Sequence, residues 1–198
     1  ELTTEEAWET YIKLKNHLIT QLWGRDQDAA GAPCTIELIL NAFFADAHVL
    51  LEDYPGSGKS LIAKSLADTI EDDIREEEID IEPYHRIQCT PDLLPGDVTG
   101  FTVQEDLAGG GKKWGFRKGP IFSYFVLVDE INRTTPKVQS AFLEAMAEKQ
   151  ITIENQRYRL AELFFVIATQ NPLDRVGTYE LPAAQLDRFL FKRRLEPI

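Results

Sequence analysis

The run Asp53-Tyr54-Pro55-Gly56-Ser57-Gly58-Lys59-Ser60 sets two glycines, a lysine and a hydroxyl in the order that a phosphate-binding turn needs. It fits G-x-x-x-x-G-K-[ST] at every fixed position except the first, where Asp53 stands. Small residues let backbone N–H groups close around phosphate oxygens. A helix opening near Lys59 aims the positive end of its dipole at the same anion. The Lys59 ammonium would meet the β- and γ-phosphates, and the Ser60 hydroxyl would ligate Mg²⁺. Asp53 through Ser60, with Leu61, are therefore the candidate nucleotide-binding residues, and ATP and Mg²⁺ the expected ligands. The plain alternative is a tight Gly-Pro turn between a strand and a helix. Asp53 begins the loop and tolerates unusual backbone angles. It and Glu52 nonetheless add negative charge beside an anion site.

A second run, Phe125-Val126-Leu127-Val128-Asp129-Glu130, is an apolar strand ending in two acids. Such a strand sets both acids at the carboxyl edge of a parallel sheet, where ligands bind in open α/β folds. Asp129 would hold the Mg²⁺ through water, and Glu130 would polarise the attacking water. By itself a strand ending in Asp-Glu is common; its position about seventy residues after a phosphate loop makes it specific. Ala168-Thr169-Gln170-Asn171-Pro172 closes another strand, and the Asn171 amide can orient water against Glu130. An Asn-Pro turn explains the same dipeptide without chemistry. In Leu186-Asp187-Arg188-Phe189, Arg188 either pairs with Asp187 or serves as an arginine finger for a neighbour's γ-phosphate.

Alternating elements must position these groups. A capping box at Thr3-x-x-Glu6 opens a helix with Trp8, Tyr11, Ile12, Leu18, Ile19 and Leu22 at helical spacing. Gly24 to Pro33 reads as a loop and Thr35 to Ala45 as a second helix. His48–Leu51, Arg86–Cys89, Phe125–Val128, Phe164–Thr169 and Leu190–Leu195 read as five strands. Helices lie between them at Lys59–Ile70 and Pro136–Glu148, the latter with Thr135 as N-cap and Pro at its first position. Short apolar strands alternating with helices imply a parallel sheet covered on both faces. Two segments break the rhythm and read as inserted hairpins: one around Gly109-Gly110-Gly111, one over Gln150–Leu160 turning near Glu154-Asn155. Insertions on α/β cores usually carry specificity.

A length of 198 residues fits one domain. The net charge is −12, and Glu71 to Glu82 supply more than half of it, with eight acids against one Arg. Such a run is a solvated loop or a docking surface for a basic partner. An acidic chain argues against general nucleic-acid affinity. No stretch is long and apolar enough to span a membrane. Two cysteines, Cys34 and Cys89, exclude a multi-bridge disulfide framework and point to a reducing, cytoplasmic compartment. His17, His48 and His85 share no metal-ligand spacing. The chain opens on Glu1 without a signal peptide or initiator Met, so it is expected to be a trimmed form of a longer protein.

Several further runs join these motifs: Leu93-Leu94-Pro95-Gly96-Asp97-Val98-Thr99-Gly100, Gly119-Pro120-Ile121-Phe122, Asp129-Glu130-Ile131-Asn132-Arg133, Pro136-Lys137-Val138-Gln139-Ser140-Ala141 and Gln185-Leu186-Asp187-Arg188-Phe189. Together they resemble the MoxR branch of the AAA+ ATPases over roughly residues 24–196. The resemblance implies a P-loop AAA+ large α/β subdomain over 1–198 with an N-terminal helix at 4–23. It implies a hairpin inserted within helix 2 at about 100–118 and a second before the sensor-1 strand at about 150–160. It makes Asn171 the sensor-1 residue and Arg188 a finger acting in trans, and it turns Arg133 toward a subunit contact. It also implies a ring, usually hexameric, and chaperone-like work on protein partners, often beside one with a von Willebrand factor A-type domain. The sequence departs from the family at Asp53, in the length of its acidic run, and in lacking the helical lid with its sensor-2 Arg.

Three functions stay open on the residues. One is an Mg²⁺-dependent ATPase that remodels protein partners. Another is a nucleotide-gated scaffold with negligible turnover. The last is a nucleic-acid-linked AAA+ motor, for which the basic and aromatic mixture of Lys112-Lys113-Trp114-Gly115-Phe116-Arg117-Lys118 is the main argument. That hairpin otherwise suits a protein substrate or a purely structural role.

Overall fold

The structure, a computed structural model, describes residues 3–21, 35–52, 59–68, 81–106, 111–172 and 177–194. The expectations for Asp53, Tyr54, Pro55, Gly56, Ser57 and Gly58, for Cys34, for the loop 24–33 and for nearly all of the acidic run lie outside the described residues.

Five strands form one parallel sheet: β1 (His48–Glu52), β2 (Glu82–Gln88), β5 (Ser123–Asp129), β8 (Phe165–Gln170) and β9 (Phe189–Arg194), in the order β2-β5-β8-β1-β9. Two antiparallel hairpins stand apart from it, β3 (Gly100–Asp106) with β4 (Lys112–Lys118) and β6 (Gln150–Ile153) with β7 (Gln156–Arg159). The helices are α1 (Thr4–Gln21), α2 (Thr35–Phe44), α3 (Lys59–Ala67), α4 (Pro95–Thr99), α5 (Pro136–Glu148) and α6 (Ala183–Leu186). This is the α/β architecture expected of a P-loop AAA+ core.

The period-2 geometry of a strand explains how one sheet carries two cores. Val49, Leu51, Phe125, Leu127, Phe165 and Ile167 join one apolar cluster, which α1, α2 and α3 cover with Leu18, Ile39, Leu40, Ile62 and Leu66. Their alternating neighbours Leu50, Val126, Val128, Val166 and Ala168 join the other, covered by Val138 and Phe142 of α5. Burying each Val, Leu, Ile or Phe side chain among them stabilises the fold by about 1.5–3 kcal/mol. Strand β5 is buried at all seven positions, so its two ends are fixed where the sheet puts them.

Buried His48 ties the layers together. Its Nδ1 accepts from the Val166 N–H at 3.1 Å, and its Nε2 lies 3.2 Å from the Met146 carbonyl. One nitrogen must accept and the other donate, so the ring is the neutral Nε2–H tautomer. Burial pushes its pKa below the ordinary histidine value.

The capping box of α1 is formed, with Thr3 N–H on Glu6 Oε2 at 2.7 Å and Glu6 N–H on Thr3 Oγ1 at 3.3 Å. The apolar stripe beyond it is only partly buried: Leu18 is inaccessible, whereas Trp8 is 63% exposed and stacks on Tyr11. At α5 the Thr135 side chain makes no capping hydrogen bond, although its backbone is extended as a cap requires. Strand β2 begins at Glu82, four residues before the apolar signal, because as an edge strand it keeps exposed positions that hydropathy does not mark.

The β3–β4 hairpin is pinched at its base, where a Cβ on Gly119 would lie 2.3 Å from the Val98 carbonyl oxygen. The β6–β7 turn uses Glu154 and Asn155 at φ 49° and 66°, the left-handed pair that a two-residue hairpin demands. The two hairpins meet through Phe116 stacked on Tyr158, ring centroids 4.0 Å apart.

Candidate functional site

Strand β8 lies between β5 and β1, so the carboxyl ends of all three are neighbours. Asp129, the last residue of β5, is 6% exposed. Its Oδ1 accepts from the Thr169 hydroxyl at 2.7 Å, and its Oδ2 from Arg86 at 2.6 Å. The Thr169 oxygen also accepts the Glu130 N–H at 2.9 Å. One buried hydroxyl at the end of β8 therefore fixes both acids at the end of β5.

Glu130 sits at φ 61°, ψ 50°, a left-handed conformation uncommon for a residue with a side chain. The kink stops β5 and starts the 3-10 turn Ile131–Arg133. Glu130 Oε2 lies 3.3 Å from Gln88 Nε2 and 3.2 Å from Arg133 Nε. Arg133, expected at a subunit contact, is thus tied to Glu130 within the chain. Behind the turn, buried Gln139 donates to the Thr134 and Tyr179 carbonyls at 3.2 Å, and Tyr179 N–H to the Asn132 carbonyl at 2.7 Å. Nearby, Cys89 is buried, and burial followed by the Asp129 and Glu130 charges pushes its thiol up to about 12.

A cavity of about 770 Å³ opens at the ends of β1, β8 and β9, with Glu52, Asn132, Gln170, Asn171, Leu186 and Lys192 on its wall. The Oδ1 of buried Asn132 has no hydrogen-bond partner among the described residues. Glu52 is bound at 2.7 Å by Lys192 Nζ and at 2.7 Å by Gln170 Nε2. The Lys192 hydrogen bond leads the causes that hold its carboxyl below the usual range.

The phosphate-loop run connects the end of β1 to the start of α3, so Glu52 and Lys59 bracket it. Ser60 is half-buried in the first turn of α3, and Leu61 is 45% exposed. Asp129 and Glu130 are brought together with Thr169, and Asn171 reaches the cavity wall next door. Arg188 is elsewhere, exposed in the turn between α6 and β9, and no ion pair joins it to Asp187 among the described residues. The donor set fits Mg²⁺: a serine hydroxyl and a carboxylate are hard oxygen ligands, and this ion is held by one or two such groups plus substrate phosphates.

A match to the ATPase family associated with various cellular activities (AAA) runs over residues 48–191, from the first strand of the sheet into the last. The chain belongs to this AAA ATPase family. Proteins named MoxR are among its relatives. It is 50% identical over 158 residues to the uncharacterised protein YeaC of Bacillus subtilis, covering 80% of this chain and 45% of that one. It is 39% identical over 157 residues to Chaperone MoxR1 of Mycobacterium tuberculosis, covering 79% and 38%. A solved structure from Cytophaga hutchinsonii, described as a candidate ATPase, superposes with a TM-score of 0.70 at 39% identity, over 98% of this chain and 55% of that one. The chain thus spans about half the length, or less, of the proteins it matches. Among the described residues, no helix is long and apolar enough to cross a membrane.

Sequence reasoning did not find Arg86, Gln88, Thr169 or Lys192 as parts of the site. Thr169 carried a usable signal, a hydroxyl at the end of a buried strand. Arg86 and Gln88 had only their place at the end of β2, whose neighbour in the sheet cannot be read from spacing. Lys192 lay in a basic run, Lys192-Arg193-Arg194, which reads equally well as a solvated strand end.

Proposed function

We propose that this chain is the nucleotide-binding core of an Mg²⁺-dependent ATP hydrolase that remodels or activates protein partners. The observation that carries the reading is the pinned acid pair. Asp129 and Glu130 are held by one buried hydroxyl at the sheet edge where the phosphate-loop run begins. Lys59 and the backbone of residues 53–58 would bind the phosphates, with Ser60 and Asp129 holding Mg²⁺. When bound, that ion supplies charge neutralisation between the β- and γ-phosphate oxygens. Glu130 accepts the proton of the attacking water, and its left-handed backbone turns the chain out of β5 just after Asp129. Asn171, one strand over, orients that water.

Arg188 completes the site from a neighbouring subunit in a ring, for which a hexamer is the expected size. Its exposure supports that role. The partner is a protein, and one with a von Willebrand factor A-type domain fits the family. The name of the Mycobacterium tuberculosis relative as a chaperone supports work on proteins. The test is Glu130→Gln in the full-length protein. ATP binding should persist while turnover falls by about 10²–10⁴, the usual worth of a positioned base. Unchanged turnover would move the catalytic role to another residue.

A further inference from the structure

The strand leading into the phosphate-loop run ends in an acid. Glu52 is the last residue of β1, and Asp53 follows it. A free carboxylate there would repel a polyphosphate. The structure does not leave it free. Strand β9 runs parallel to β1 with Arg194 opposite Glu52, and Lys192 Nζ lies 2.7 Å from Glu52 Oε1. From the other side, β8 sets Gln170 opposite Glu52, and its amide donates to the same oxygen at 2.7 Å. Glu52 and Lys192 are both partly shielded, their side chains 22% and 42% exposed, and both stand on the wall of the 770 Å³ cavity. The last strand of the sheet therefore brings a cation to the one acid of β1 that faces the nucleotide end.

We propose that Lys192 is a charge-neutralising residue for nucleotide binding: it occupies Glu52 so that β1 does not present a carboxylate to the phosphates entering the adjoining loop. This rests on the proposed nucleotide site. Lys192 touches neither substrate nor reacting atoms in this account; it acts through Glu52 and is a positioning residue. The same contact makes Glu52 tolerable at this position. Without its cation, it would add a fixed negative charge beside Asp53.

The experiment is a titration of a fluorescent ATP analogue, with Mg²⁺, against four full-length proteins: wild type, Lys192→Met, Glu52→Gln and the double variant. Methionine keeps the apolar stem of the lysine, and glutamine keeps an oxygen for the Gln170 amide. Lys192→Met should weaken binding about three- to tenfold at low salt, and the loss should shrink at high salt, as expected of a partly screened charge. Glu52→Gln should bind at least as well as wild type. The double variant should return to within about twofold of wild type, because the repelling charge has gone. If Lys192→Met binds as tightly as wild type, the inference is wrong. If the double variant is as weak as Lys192→Met, or the loss ignores salt, Lys192 is only a packing residue and the inference is equally wrong. Failure of wild type itself to bind would instead overturn the nucleotide site.

Discussion

The end of β5 and the turn between α6 and β9 treat their functional side chains in opposite ways. At the end of β5, Asp129 is almost inaccessible, each carboxylate oxygen is engaged, and Thr169 locks the Glu130 backbone to it. In the turn, Arg188 is exposed and unpaired with the acid beside it. The β3–β4 hairpin resembles the second region, with Phe101 48% and Trp114 67% exposed. A group that works on a substrate held by its own chain gains from being fixed before the substrate arrives. A group meant for another molecule has its partner elsewhere and stays in solvent until it meets it. The contrast is the one that the proposed division of the site between two subunits requires, with the pinned half in one and the exposed half offered by the next.

The largest change should come from the exposed side. Arg188→Ala should leave ATP binding intact and lower turnover of the full-length protein by roughly 10³–10⁵, the range over which arginine fingers act. Equal loss of binding and turnover would make Arg188 an ordinary ligand of its own site, and the contrast would fail.

On the pinned side, Thr169→Val keeps the shape and deletes the hydroxyl. Asp129 Oδ1 and the Glu130 N–H both lose their buried partner, which should cost about 1–3 kcal/mol of stability. Denaturant unfolding reads that loss. Turnover should fall more than ATP affinity, since the acids are loosened and the phosphate loop is not. A variant as stable and as active as wild type would show that the pin does not matter.

The smallest effect belongs to His48, which is far from any chemistry. Its folded pKa is depressed by burial, so the unfolded chain binds the proton more readily. Its contribution to stability is therefore full above the unfolded value near 6.5 and is lost as pH falls through the window below it, by at most about 1.4 kcal/mol per pH unit. His48→Gln, which cannot titrate, should flatten that slope in chemical denaturation at pH 5–7. An unchanged slope would place the titrating group elsewhere.

How much of this was legible in the sequence follows the range of the interactions. The acids at the end of β5 and the three buried central strands β1, β5 and β8 follow from local rules, since apolar runs and a terminal Asp-Glu are written within a few residues. The Glu154-Asn155 turn was legible for the same reason. Arg86 on Asp129 was not, because its partner is 43 residues away and is set by which strand neighbours β2. Lys192 on Glu52 depends on β9 returning beside β1, and Phe116 on Tyr158 on two insertions meeting in space. The periodicity of α1 marked Trp8 as apolar but could not tell that helix α2 leaves it in solvent. Long-range pairing decides each of these, and spacing carries no record of it.

The divided site is tested most directly by mixing. Full-length Lys59→Ala lacks the lysine of the phosphate loop but keeps Arg188, while Arg188→Ala has the reverse. Each alone should be nearly inactive. Combined, they should recover ATP hydrolysis well above the sum of the two, because a Lys59→Ala subunit can offer its arginine to a neighbour whose phosphate loop is intact. Wild-type specific activity should also rise with protein concentration. No recovery in the mixture, together with activity independent of concentration, would contradict the account and return Arg188 to its own chain.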